Sequence, residues 1–152
     1  MRIVEYKSLP EPIRISTEES IRRLRIVLTA AEKVNADKRY MKAFGYRDAG
    51  TDAKVGECGT VGCLLGHAAF TPEFQALGVR ATWNPSSGAG SREVLNLGVC
   101  HQGDYHYWNG GDELSDFLGI SSAEMHHIFW ARDWDTAIER LRTTIARMEE
   151  KA

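Results

Sequence analysis

Two stretches concentrate the residues that can do chemistry. The first, GECGTVGCLLGHAAF over residues 56–70, places Cys58, Cys63 and His67 among four glycines. The second, CHQGDYHYWNGGD over residues 100–112, holds Cys100, His101, Asp104, Tyr105, His106, Tyr107, Trp108 and Asn109. Cys63 and His67 are four apart, so on one helix face they could meet a single ion, with Cys58 and either Cys100 or His101 completing the set. Paired Cys-x2-Cys knuckles are absent, however, and Cys-x4-Cys running into an apolar helix is not a common zinc signature, so no metal and no other cofactor is expected. In a thiol mechanism Cys58 or Cys63 would be the nucleophile and His67 or His101 the base. A third use needs only backbone: Gly59 and Thr60 would open a helix whose first amides can hold an anion, although no Walker pattern is present. The fourth reading is packing, in which Gly62 and Gly66 let helices cross closely and buried cysteine acts as a small hydrophobe. That reading weighs most.

The second stretch mixes flat aromatic surfaces with donors and acceptors, a combination suited to planar ligands or peptides. The candidate ligand-binding set is therefore Gly59, Thr60, His67, His101, Tyr105, Tyr107 and Trp108. The competing reading is a surface hairpin whose alternate aromatics pack inward.

These residues need elements to position them. Residues 1–15, with Pro10 and Pro12, read as an extended lead-in. Ser16 and Glu19 suggest a capping box, and Ile21, Leu24, Val27, Leu28 and Ala31 predict an amphipathic helix over 17–34. Tyr40, Met41 and Phe44 suggest a further helical turn docked on the core. Thr60 to about Phe70 reads as a helix apolar on nearly every side, hence central and buried, with Cys63, Leu64 and Ala68 at the domain centre. Thr71-Pro72 restarts the chain as a short helix ended by Gly78. Residues 79–111 read as a β/loop insertion: VRATW and EVLNLGV flank the Gly/Ser loop NPSSGAGSR, and DYHYW adds a short strand. Three helices close the chain, beginning at an Asp112 cap, at a Ser121–Glu124 capping box, and in DWDTAIERLRTTIARMEEKA.

The expected fold is thus a single α+β domain over 1–152, mainly helical, with a central buried helix, a small antiparallel hairpin or sheet and a C-terminal three-helix segment. Hydrophobic content of 43% and charged content of 26% belong to a globular chain of this size. A net charge of -2 disfavours a dedicated nucleic-acid binder. ELSDFLGISSAEMHHIFW has helix-turn-helix spacing, but its second helix offers Ser122, Glu124, His126 and His127, a poor surface for phosphates, so DNA binding is only a weaker alternative. His126 and His127 point about 100° apart, so one is expected to pack and the other to face solvent, with Trp130 and Trp134 both in packing. No apolar run has membrane-spanning length, the charged start lacks a signal-peptide core, and three cysteines fit a reducing compartment, so a cytoplasmic location is expected.

CGTVGCLLGHA, residues 58–68, resembles the C-G-T-x-x-C-x-x-G-[HW]-A signature of small uncharacterised bacterial and bacteriophage proteins. The likeness extends to FLGIS, IFW and the final amphipathic helix, roughly residues 110–148, and implies a shared helical core without an established activity. The leading functional expectation is a non-enzymatic protein that binds a small molecule or a partner, with self-association left open and no membrane or nucleic acid involved. The alternative is a thiol- or metal-dependent hydrolase using Cys58 or Cys63 with His67 or His101. The site itself is expected where Gly59 and Thr60 meet a concave surface covered by residues 100–109, with Tyr105 dispensable for stability.

Overall fold

The computed structural model describes residues 2–5, 14–41, 44–48, 60–85, 92–101, 103–108 and 111–152. Helix α1 (Thr17–Glu32) starts where the Ser16 hydroxyl accepts the Glu19 amide at 3.1 Å. The reciprocal half of the expected capping box is replaced, because the Glu19 carboxylate turns to Arg22 and Arg23 instead. Its apolar stripe, Leu24, Val27 and Ala31, is fully buried. Helix α6 (Trp134–Lys151) presents Trp134, Ala137, Ile138, Leu141 and Ile145 to the same core. Ion pairs Arg25–Glu149 and Arg142–Glu32 join early residues of one helix to late residues of the other, so the two run antiparallel. These pairs are solvent-facing and add little beside the buried stripe.

Helices α4 (Gly111–Leu118) and α5 (Ser122–Phe129) form the expected corner. Gly119 turns it at φ +72, with Ser20 packed where a side chain would project, and Ser20 donates to the Leu118 carbonyl at 2.5 Å. The capping box of Ser121 and Glu124 is complete. Asp112 lies inside the first turn of α4 and is not its cap, since the helix already starts at Gly111.

The sheet is larger than the sequence suggested. Strands β1 (Arg2–Glu5), β2 (Gly45–Asp48), β3 (Thr60–Gly62), β4 (Val79–Pro85), β5 (Arg92–His101) and β6 (Asp104–Tyr107) form one six-stranded sheet. β4 and β5 are the predicted hairpin, in antiparallel register from Val79↔Val99 to Pro85↔Glu93. On the other side of β5, β2 pairs with residues 92–94 and β6 with residues 98–101. β2 and β6 therefore lie end to end along β5, extended outward by β3 and by β1, the latter parallel to β6. The extended lead-in is thus partly a strand. The turn expected around Tyr40, Met41 and Phe44 is instead a 3-10 turn at Ala36–Lys38, followed by β2.

The central helix is much shorter than Thr60–Phe70. Thr60–Gly62 pair with Gly45–Arg47 as strand, and helix α2 covers only Leu64–Ala68, before α3 (Pro72–Ala76). A β-branched pair beside glycine suits a strand better than a first helical turn. Leu64 and Ala68 are buried at the centre as expected, while Cys63 is half-buried. Leu95, Leu97 and Val99 of β5 join residues of all six helices and of β4 in one hydrophobic cluster. The chain is α+β and mainly helical.

Candidate functional site

Cys63 is the N-cap of α2, in extended backbone at φ -78 and ψ 178, and its Sγ accepts the Gly66 amide at 3.4 Å. A residue outside the helix has no i,i+4 face, so the shared helical face that a metal held by Cys63 and His67 would need does not form. Burial pushes the Cys63 thiol up to about 11, even though nearby backbone amides pull the other way. At neutral pH it is almost entirely protonated, the opposite of what a thiol nucleophile needs. His67 is buried and faces Lys38, its Nε2 2.9 Å from the Lys38 carbonyl oxygen, and its ring stands edge-on to Trp134 at 5.9 Å. Arg39 covers the same Trp134 ring at 5.5 Å. His67 thereby pins the 3-10 turn to α2 and α6.

Gly66 is where α2 passes the chain after that turn. A Cβ there would run into the Phe44 carbonyl oxygen, so only glycine permits the approach. Cys63 N–H donates to the same carbonyl at 3.1 Å. The motif thus joins β3 to the buried helix by close backbone packing. Thr60 belongs to β3 and not to a helix start, and α2 is too short to provide the anion cradle expected at Gly59 and Thr60. Cys58 and Gly59 lie outside the described residues, as do the side chains of Thr60 and His101.

The aromatic segment divides by strand register. Residues paired across antiparallel strands share a face. Tyr105 pairs with Cys100 and Tyr107 with Gly98, which in turn pairs with Arg80, while Asn96 pairs with Thr82. These residues form an outer face, opposite the side of Leu95, Leu97 and Val99. Tyr105 crosses that face as a strap. Its ring lies over Gly98, where an added Cβ would meet Cζ at 2.7 Å, and its hydroxyl donates to the Arg80 carbonyl on β4 at 3.1 Å. It is only 3% exposed. Burial pushes its phenol up to about 12, with Tyr107 and Cys100 reinforcing the shift and the Thr82 hydroxyl opposing it. The expectation that Tyr105 is dispensable for stability is therefore revised: it ties three strands together.

Trp108 is buried as well. Its amide donates to Leu97 at 3.0 Å and its indole packs on Phe117 at 5.0 Å, anchoring the end of β6 to α4. What the outer face leaves half-open is Tyr107, edge-on to Tyr105 at 5.1 Å, together with Asn96, Thr82 and Cys100. Asn96 and Thr82 escaped the sequence reading, although the alternation of Val94, Asn96 and Gly98 with Leu95, Leu97 and Val99 carries the signal. The expected concave meeting of residues 100–109 with the helix start is also revised: β6 lies at one end of β5, and β2 with β3 at the other.

Elsewhere, His126 and His127 are both exposed, since the α5 face that packs carries Met125, Ile128 and Phe129. Trp130 is 56% exposed beside His126, whereas Trp134 is buried as expected. Arg147 pairs with Glu124 and Arg140 donates to the His127 carbonyl, so the cations nearest α5 are already engaged. No helix among the described residues is long and apolar enough to cross a membrane. Compared with known proteins, the chain matches no protein-family model, no curated protein and no solved structure.

Proposed function

We propose that this is a non-enzymatic binding protein of bacterial or phage type acting in the cytoplasm. Its ligand, a small molecule with a flat surface or a partner presenting one, meets the outer sheet face at Tyr107 and Asn96. The observation carrying this reading is the contrast between the two faces of β5. Leu95, Leu97 and Val99 are closed in the core, while the alternate positions carry the half-open amide side chain of Asn96 and the half-open ring of Tyr107. An aromatic ring held edge-on by a buried neighbour is a rigid surface that loses little freedom on binding. Tyr105 serves as the support beneath it.

The hydrolase alternative draws less support. Cys63 has a raised thiol pKa, and the His67 ring nitrogen Nε2 faces a backbone carbonyl. Thermal shift of the intact protein against nucleotides, sugars and aromatic metabolites tests the binding reading. A stabilising compound whose effect vanishes in Tyr107→Ala supports it. Stabilisers that act equally on the variant, or no stabiliser at all, remove the outer face as the site.

A further inference from the structure

The geometry points to the edge of β4 that is unpaired among the described residues as a docking strand for an extended, acidic peptide segment of a partner protein. Cys100 N–H donates to the Gly78 carbonyl at 2.8 Å, which fixes the phase of the β4–β5 ladder. In an antiparallel ladder the paired groups alternate, so Arg80, Thr82 and Asn84 turn their backbone groups toward β5. Val79, Ala81 and Trp83 turn theirs outward, and among the described residues no strand pairs with that edge. Ala81 and Trp83 thus offer two donors and two acceptors to an added strand, and Pro85, without an N–H, ends the row.

A groove of about 350 Å³ runs beside this edge, between it and the turn leading into α3. Ala69 and Phe70 give it an apolar wall, and Phe70 stacks on Trp83 at 6.5 Å. Side chains of an added strand that face the helices would lie along this wall. Arg80 supplies the charge. Its Nη1 donates to the Val79 carbonyl at 2.8 Å and the Gln75 carbonyl at 2.9 Å, holding the guanidinium at the start of the edge. A carboxylate on the incoming strand would find this cation already fixed in place. The same charge argues against a second copy of the chain as occupant. Two β4 edges paired antiparallel about Ala81 would set Arg80 of each copy on one face, close to the other.

Selection of short random peptides by display on the intact protein, followed by residue-resolved amide exchange, tests this. The expected result is enrichment of sequences carrying a carboxylate that slow exchange at Ala81 and Trp83. Their affinity should fall roughly tenfold or more in Arg80→Glu, the loss of a charge-assisted hydrogen bond, and should fall in Ala81→Pro, which removes an outward amide. Exchange on the unaltered chain keeps the test decisive should Ala81→Pro misfold. Unchanged affinity in Tyr107→Ala separates this edge from the outer-face ligand site. No enriched peptide, protection at other residues, or affinity indifferent to Arg80→Glu overturns the proposal.

Discussion

The cysteine motif and the aromatic segment look equally site-like as strings of residues, yet the fold uses them in opposite ways. Around Cys63, Gly66 and His67 the polar groups turn toward backbone: a thiol caps a short helix, an imidazole nitrogen faces a carbonyl, and a glycine admits a neighbouring chain. Around Tyr105 and Tyr107 the alternation of a strand splits the residues, so that one ring is buried as a strap and the next stays half-open. Residue type names what a group could do. Its backbone context decides whether the group is spent on the fold or left for a ligand.

The comparison breaks most sharply at Gly66. Gly66→Val forces a side chain into the Phe44 backbone, which cannot swing away as a side-chain tip could. Overpacking of this kind is expected to cost about 3 kcal/mol, the upper end of its range, readable as a lowered midpoint in urea. An unchanged midpoint would mean that the motif is not a packing device.

Next in size is Tyr105→Phe, which deletes the hydroxyl bonded to Arg80 while keeping the ring over Gly98. Loss of that hydrogen bond is expected to cost about 1 kcal/mol. The strap also predicts a pH dependence. The folded phenol sits near 12 against an ordinary value of 10, so the folded state retains its proton where the unfolded chain loses it. The stabilisation is complete below about pH 10 and is lost as pH rises toward 12. Cys63 acts in the same direction from pH 9 to about 11. Chemical denaturation at stepped alkaline pH should show a steady loss of stability, and Tyr105→Phe should flatten the upper part of it. A variant as pH-sensitive as the parent would detach the phenol from the effect.

Tyr107→Ala is expected to have the smallest effect on stability, below about 1 kcal/mol, because the ring is only half-buried and makes its edge contact on one side. A loss comparable with that of Gly66→Val would make Tyr107 part of the fold and leave the outer face without its accessible aromatic.

Much of the helical architecture was legible. The stripes of α1 and α6, the Ser121 capping box and the Gly119 corner follow from spacing and caps, because helix signals are local. The hairpin of β4 and β5 was legible for the same reason, being one alternating pair around one loop. β2 and β3 were not: four residues and three residues carry too little periodicity, and β2 finds its place against β5, far along the chain, with β3 added only through β2. The motif's apolar run therefore read as one helix, although Val61 and Gly62 suit a strand and the helix begins only at Leu64. The aromatic segment was legible as important, but not which aromatics remain open, since that follows from the pairing of Tyr107 with Gly98. Arg80 and the outer edge of β4 were invisible until the order of the strands was known.

Residue-resolved thiol labelling of the native protein at pH 7 sets the two regions against each other in one experiment. Cys63 belongs to the packing motif, and a thiol near 11 in place of the ordinary 9.0 holds about a hundredfold less thiolate. Cys100 lies half-buried on the outer sheet face beside Tyr105. Modification of Cys100 well ahead of Cys63 is the expected result. Cys63 modified as fast as Cys100, or faster, would return the reactive centre to the cysteine motif and contradict the assignment of function to the sheet.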